Sequence, residues 1–184
     1  MAQAGKARWA VAVAVFVAAL AASPATASVD SENLELAVKA TYLYKLAPFV
    51  SWPQASWAAP NAPLTICVQG VDPFGPLLDR AIGGQVVAGH PLAVRRLARL
   101  AADSGCHIAY LAGGAAQSPA QALAAVEGAP VLTVTDEGRG GARGIVNLVL
   151  DAGRVRFAID AAQADRNGVA ISSKLLALAV AVKR

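Results

Sequence analysis

The chain has 184 residues, 56% of them hydrophobic, and a formal net charge of +4. This length suits one domain with a sizeable core. Two of the 16 basic residues, Lys6 and Arg8, lie at the N-terminus, which leaves 14 basic against 12 acidic residues in the rest of the chain. No basic run with interleaved aromatic residues occurs. Composition therefore argues against a nucleic-acid partner.

The N-terminal segment has the pattern of a secretory signal peptide. Lys6 and Arg8 precede an apolar run over residues 9–22, which is 14 residues long and shorter than the roughly 20 that a membrane-spanning helix needs. A helix-breaking Ser-Pro pair and a small-x-small sequence, Ala-Thr-Ala, follow at residues 23–27. We predict a cleaved signal peptide over residues 1–27 and one mature domain over residues 28–184. The alternative is an uncleaved anchor.

Two cysteines, Cys67 and Cys106, lie in the predicted mature domain. In an oxidising compartment, an even pair favours a single disulfide. The alternatives are two buried free thiols or a zinc site formed with the neighbouring His107. The sequence contains no CxxC or HExxH spacing to support a metal site.

Hydrophobic periodicity predicts a long helix followed by alternating strands and short helices. Residues 32–50 carry an apolar stripe at steps of three and four, with Asp30 or Ser31 as the expected cap. We predict strands over residues 64–68, 85–87, 92–97, 106–111 and 131–135, and helices over residues 76–82 and 119–126, the latter capped by Ser118.

The last third of the chain predicts a β-hairpin. Residues 145–150 and 154–159 flank a turn at residues 151–153. Helices are predicted over residues 161–166 and 173–182. The whole pattern predicts a single-domain α/β fold: a layered, mostly parallel sheet with a C-terminal antiparallel hairpin and with helices packed on the sheet.

The sequence assembles no catalytic constellation. The two histidines, His90 and His107, lack partners at metal-ligand spacing, and the chain has neither a GxSxG elbow nor a phosphate-binding glycine motif. We therefore expect no enzymatic activity, no cofactor and no metal. The polar groups that could contact a small ligand are Arg143, Arg156, Ser172, Ser173 and Lys174. The structural alternatives are a flexible glycine-rich loop over residues 138–144 and plain N-capping of the last helix by the serine pair.

Six motifs, in order from residue 35 to residue 180, resemble the YfiR family of periplasmic regulators. They are residues 37–47 with 49–53 (an opening helix ending in Trp-Pro), residues 66–75 (a strand and a DPFG turn), residues 106–108 (Cys-His-Ile), residues 144–147, residues 155–160 and residues 171–176. Some positions depart from the family pattern. Pro48 lies where a polar or basic residue is usual, Ala158 and Asp160 give FAID in place of FEIN, and a second cysteine pair is missing.

The resemblance implies a periplasmic repressor of a membrane-bound signalling protein, a diguanylate cyclase in the best-known type, whose inhibition lowers cyclic-di-GMP signalling. It implies that Cys67 and Cys106 form the family disulfide. The implied partners are the periplasmic sensor domain of an inner-membrane diguanylate cyclase or kinase, an outer-membrane lipoprotein, and a second copy of the chain in a homodimer. The alternative function is a periplasmic module that binds a nucleotide or an amino acid and passes its ligand state to a sensor protein.

Overall fold

The structure, a computed structural model, describes residues 25–184, with side chains from residue 30 onward. The predicted signal peptide lies outside the described residues, except that residues 25–27 begin the first helix. The helices are α1 (Ala25–Lys45), α2 (Pro76–Ile82), α3 (Pro119–Ala125), α4 (Ala161–Arg166) and α5 (Ser173–Leu178). The strands are β1 (Val50–Ser51), β2 (Leu64–Gly70), β3 (Val86–Val87), β4 (His90–Leu97), β5 (Ile108–Gly113), β6 (Leu132–Asp136), β7 (Val146–Asp151), β8 (Arg154–Asp160), β9 (Ala170–Ile171) and β10 (Ala181–Lys183).

The main sheet has eight strands in the order β10-β8-β7-β6-β5-β2-β4-β3. Strands β4, β2, β5, β6 and β7 run parallel to one another, and β8 returns antiparallel to β7 as the predicted hairpin. The hairpin turn places Ala152 and Gly153 at φ values of 47° and 74°, as a two-residue type I′ turn requires. The predicted α/β architecture is confirmed. Strands β1 and β9 form a separate antiparallel pair.

The sheet separates two apolar cores. All but the last residue of β2 are buried, and because strand side chains alternate, successive residues enter different cores. Leu64, Ile66 and Val68 pack with α1 and α2 in the larger core. Cys67 joins Ala122 of α3 in the smaller core on the opposite face. We refer to these as the α1 face and the α3 face.

Cys67 and Cys106 form a disulfide in the smaller core, with their Cα atoms 5.8 Å apart. The predicted pairing is therefore present. Each sulfur is bonded to the other, so neither remains as a thiolate that could bind zinc beside His107. The bridge ties β2 to the start of the segment that leads into β5.

The first predicted helix was misplaced at both ends. Helix α1 is already formed at Ala25, the first described residue, so Asp30 and Ser31 lie inside it rather than at a cap. It ends at Lys45 and not at residue 50, because Pro48 lacks an N–H and its ring would crowd the carbonyl of Tyr44. The chain continues through a single 3-10 turn, Ala47–Phe49, into β1.

The last predicted helix was too long. Helix α5 ends at Leu178, and Ala181–Lys183 form β10 parallel to β8. The edge of β8 offers backbone partners, and the N–H of Val180 donates to the carbonyl of Phe157 at 2.9 Å. In a short apolar run, hydrophobic periodicity cannot distinguish a continued helix from a strand. The other predicted elements agree with the structure to within two residues at each end.

Replacing both Cys67 and Cys106 with alanine should lower the free energy of unfolding by about 4 kcal/mol. The bridge closes a loop with a sequence separation of 39, and opening it enlarges the unfolded ensemble. Urea unfolding with and without a phosphine reductant measures this difference. The double variant should be insensitive to the reductant. Equal urea midpoints for oxidised and reduced wild-type protein would contradict the expectation.

Candidate functional site

A charged cluster lies at the carboxyl edge of the parallel sheet. Asp136 is the last residue of β6 and is 5% exposed. Lys39 of α1 is also 5% exposed, and its Nζ lies 2.5 Å from Asp136 Oδ2 and 2.5 Å from Glu35 Oε1. A cleft of about 440 Å³ adjoins the cluster, between α1 and the loop after β6.

Two further donors complete the environment of Asp136. The Tyr110 hydroxyl donates to Oδ2 at 3.2 Å, and the backbone N–H of Gly138 donates to Oδ1 at 3.1 Å. Burial, together with the negative charge of Asp136, raises the pKa of Tyr110 well above its ordinary value. The phenol therefore stays protonated as a donor. Asp136 therefore accepts from Lys39, from Tyr110 and from the Gly138 N–H, and it links α1 to the sheet.

The sequence pattern did not reveal this cluster. Lys39 lies between the stripe residues Leu36 and Ala40, and Asp136 closes a run of buried strand residues. The signal that the sequence did contain was a charged residue, Lys39, beside the apolar stripe of the predicted helix. The pairing itself spans 97 positions of sequence, and local periodicity carries no information about such distant contacts.

The opposite edge of the sheet carries an aromatic stack. The ring of Trp57 lies between His90 and His107, at centroid distances of 3.7 Å and 4.2 Å. His107 Nδ1 accepts the N–H of Thr65 at 3.1 Å, and the Trp52 indole donates to the His107 carbonyl at 3.0 Å. Burial, with a contribution from His90, lowers the pKa of His107. This places neutral His107 in a structural role.

No metal centre forms in the part of the chain that the structure describes, because no three His, Cys, Asp or Glu side chains are placed to share an ion. Within residues 25–184, no helix combines the length and apolar character needed to cross a bilayer.

The structure does not gather the five predicted ligand residues into one site. Arg143 is exposed before β7, where it contacts Glu137 at 3.2 Å. Arg156 is exposed in the middle of β8, in register with Val149. Ser172 caps α5 by accepting the N–H of Leu175, while Ser173 and Lys174 are exposed beside it. Their binding role stays a prediction. Arg143 also lines a cleft beside the end of β8.

An apolar groove follows the outer side of α1. A cleft of about 570 Å³ lies between α1 and the β7–β8 hairpin, and a second cleft of about 350 Å³ continues along the helix, with Val38 lining both. Leu34 is 67% exposed and Leu150 is 56% exposed at the first cleft. Tyr42 anchors the helix to β8 through a hydrogen bond from its hydroxyl to the Val155 carbonyl at 3.3 Å. We call the two clefts together the α1 groove.

A second apolar patch lies at the C-terminal end. Leu178 and Val180 are 61% and 49% exposed, between α5 and β10. Their exposure is compatible with a contact surface. Neither residue lines the α1 groove, so the patch is a separate surface.

Replacing Lys39 with methionine should lower the free energy of unfolding by about 3–5 kcal/mol, because Asp136 would remain buried without its cation. Chemical denaturation measures this loss. Adding Asp136→Asn to the variant should recover part of it, since the uncompensated charge is then gone. Equal stability of the single and double variants would contradict the claim that Lys39 stabilises the fold by compensating the buried charge of Asp136.

The free energy of unfolding should fall as the pH falls below about 6.5, the ordinary histidine pKa. The folded-state pKa of His107 is lowered, so the unfolded chain takes up a proton that folded His107 does not. The contribution of neutral His107 to stability is complete above its pKa in the unfolded chain, and it is lost as the pH falls towards its pKa in the folded protein. His107→Asn, which can still accept the Thr65 N–H, should show a smaller loss between about pH 7.5 and about pH 5.5. An unchanged loss would refute this assignment.

Comparison with known proteins identifies the chain at the level of a family. A comparison with curated proteins gives no match. The family model described as YfiR/HmsC-like matches residues 36–180. The matched span contains the disulfide, Lys39 and Asp136 of the charged cluster, and the hairpin. The chain therefore belongs to the YfiR/HmsC-like family.

Proposed function

We propose that the protein is a periplasmic regulatory binding protein that represses a membrane-bound signalling protein, a diguanylate cyclase, and so lowers cyclic-di-GMP signalling. Membership of the YfiR/HmsC-like family supports this at family level, because the family is generally periplasmic and fits regulators of the diguanylate cyclase type. The observation in this chain that carries the proposal is the α1 groove.

The groove offers the apolar area that a partner can cover. Leu34 and Val38 lie one helical turn apart on α1, and Leu150 faces them from the hairpin. Burying such side chains contributes about 1.5–3 kcal/mol each when they start fully exposed. Exposed apolar residues that cluster around a cleft, rather than scatter singly, are typical of an interaction surface.

The shape and charge of the groove favour a helical partner. A row of exposed apolar residues beside a hairpin accepts the apolar stripe of an amphipathic helix, whose i and i+4 side chains match one helical turn. Glu32, Glu35 and Arg154 line the same cleft, so charges at the rim can fix the direction of the bound helix. We propose that this helix belongs to the periplasmic sensor domain of the cyclase.

Repression then follows from a population shift. A protein that binds the inactive state of the sensor better than the active state lowers the active fraction in proportion to that difference in affinity. An outer-membrane lipoprotein that covers the same groove would release the sensor, and a second copy of the chain would compete for it as a homodimer. In this proposal the protein acts by binding and not by catalysis, with no cofactor.

A second candidate function is small-molecule binding, with the ligand state passed on to a sensor protein. The observation that favours it is a buried amide without a partner on the α3 face of the sheet. This amide belongs to Asn147, which lines a cleft over β7, β8 and β10.

Leu34→Asp and Leu150→Asp should each abolish repression without unfolding the protein, because both side chains are more than half exposed in the folded state while a charge would oppose apolar docking. The measurement is intracellular cyclic-di-GMP in a strain deleted for this protein and complemented with each variant, together with co-purification of a diguanylate cyclase. Wild-type complementation should lower cyclic-di-GMP, and the two variants should not.

Val71→Asp is the matched control, since Val71 is 67% exposed and lies outside the groove. It should repress like the wild type. Leu178→Asp tests the C-terminal patch separately. If folded Leu34→Asp and Leu150→Asp both repress normally, the groove is not the docking surface. If deletion leaves cyclic-di-GMP unchanged, the cyclase proposal fails.

A further inference from the structure

The side chain of Asn147 is buried on the α3 face of the sheet, and its amide nitrogen has no partner. Asn147 is 4% exposed, and Nδ2 makes no hydrogen bond within the described structure. An unsatisfied buried N–H group costs roughly 1–3 kcal/mol. A native protein that retains one therefore calls for an explanation, such as a bound water, ion or small molecule.

In the structure, the oxygen of this amide faces Thr135. The hydroxyl of Thr135 accepts the N–H of Gly144 at 2.9 Å, so its own proton is free to be donated to Asn147 Oδ1, also 2.9 Å away. The oxygen thus points towards Thr135 in β6, which leaves the NH₂ group directed away from β6, towards the side where β8 lies.

The space next to the NH₂ group is an open cleft. Ala158 of β8 is the register partner of Asn147, and Ala181 of β10 is the register partner of Ala158. These small side chains leave a cleft of about 230 Å³ whose lining includes Asn147, Ala158 and Ala181. This corresponds to roughly eight water molecules at about 30 Å³ each, which suits a small organic molecule.

Two cations lie on the same cleft. Arg143 and Lys183 both line it, with side chains 66% and 74% exposed. Lys183 also contacts Asp160 at 2.9 Å, and each cation keeps further N–H donors. Asp160 also lines the cleft, and its carboxylate already accepts from Lys183 and from the N–H of Gln163. The amide NH₂, the guanidinium and the ammonium are the donors that remain for a ligand, and an anionic acceptor with two oxygens matches them.

We propose that this cleft binds the carboxylate of a small organic molecule. The carboxylate accepts from Asn147 Nδ2 at the base of the cleft and from Arg143 and Lys183 at its mouth, and the apolar part of the ligand lies against Ala158 and Ala181. Asn147 satisfies its amide on binding, which favours the bound state. This site rests on the second candidate function, small-molecule binding, and names its ligand class. It lies on the face opposite the α1 groove, so it stands or falls independently of the proposed repressor function.

The site can be tested directly by nuclear magnetic resonance. The ¹⁵N-labelled protein is titrated with sodium propionate, and the side-chain NH₂ signals of Asn147 are assigned by their loss in Asn147→Asp. We expect a saturable shift of these signals with propionate and no such shift with sodium chloride at equal ionic strength. No shift with propionate, or an equal shift with chloride, overturns the proposal. An equally tight response to neutral propionamide would overturn the carboxylate assignment.

Variants locate the site without relying on the buried amide. Arg143→Gln and Lys183→Gln alter exposed side chains and should each weaken propionate binding by at least about threefold, because each removes a charged donor. Ala158→Glu places a carboxylate opposite Asn147 in register and should abolish propionate binding. Asn61→Asp adds the same charge at an exposed position and should bind like the wild type. Unchanged binding in folded Ala158→Glu would place propionate elsewhere and refute the site.

Discussion

The buried contact between Lys39 and Asp136 determines where α1 lies, and much of the remaining structure depends on that position. A buried pair of this kind tolerates little displacement, because separation would leave both charges desolvated and unpaired. Asp136 is held in turn by Tyr110 from the neighbouring strand and by the N–H of Gly138. The apolar stripe of α1 sets which side of the helix meets the sheet, and the ion pair sets its register along β6.

The α1 groove follows from this placement, because fixing one side of α1 to the sheet leaves another side next to the hairpin.

The loop after β6 is fixed as well. The loop after β6 is held at its other end by threonine hydroxyls on the α3 face, where Thr133 and Thr135 accept the N–H groups of Ile145 and Gly144. A side chain at residue 144 would come within 2.9 Å of Thr133, so glycine is required for this close approach. The loop that the sequence suggested to be flexible is therefore tied down where it enters β7.

The sequence predicted the elements well where the information is local. The hairpin turn, the Ser118 cap with its reciprocal contact to Gln121, and the all-buried strands could be identified from short patterns. The prediction failed at the C-terminal ends of α1 and α5. The end of α1 depends on the ring of Pro48, which acts on the preceding helical turn, and the end of α5 depends on the free edge of β8. Cys67 and Cys106 were paired correctly because two cysteines in a chain predicted to be exported have few alternatives.

The site residues were harder to predict for the same physical reason. Lys39 and Asp136 become partners only through the fold, and the serine pair at residues 172–173 is an ordinary cap of a short helix. Asn147 belongs to one of the motifs that resemble the family, but no chemical role could be assigned to it, since a single asparagine in an apolar strand indicates no more than a weak interruption. Its environment arises from three strands: Thr135 of β6 supplies a donor, Ala158 of β8 leaves space, and β10 closes the far side.

The arrangement of β10 connects the wrongly predicted helix end to the proposed carboxylate site. Had residues 179–182 continued α5 as a helix, Ala181 and Lys183 would not lie beside Ala158 and Asp160, and the cleft would lack its outer wall. Pairing with β8 orders these residues through backbone contacts, including the Val180 N–H to Phe157 bond. A strand at the sheet edge is held on one side only and is easier to displace than a central strand. Occupancy of the cleft and order in β10 are therefore coupled: a ligand that contacts Lys183 stabilises the paired strand, and loss of β10 pairing weakens ligand binding by the same free energy.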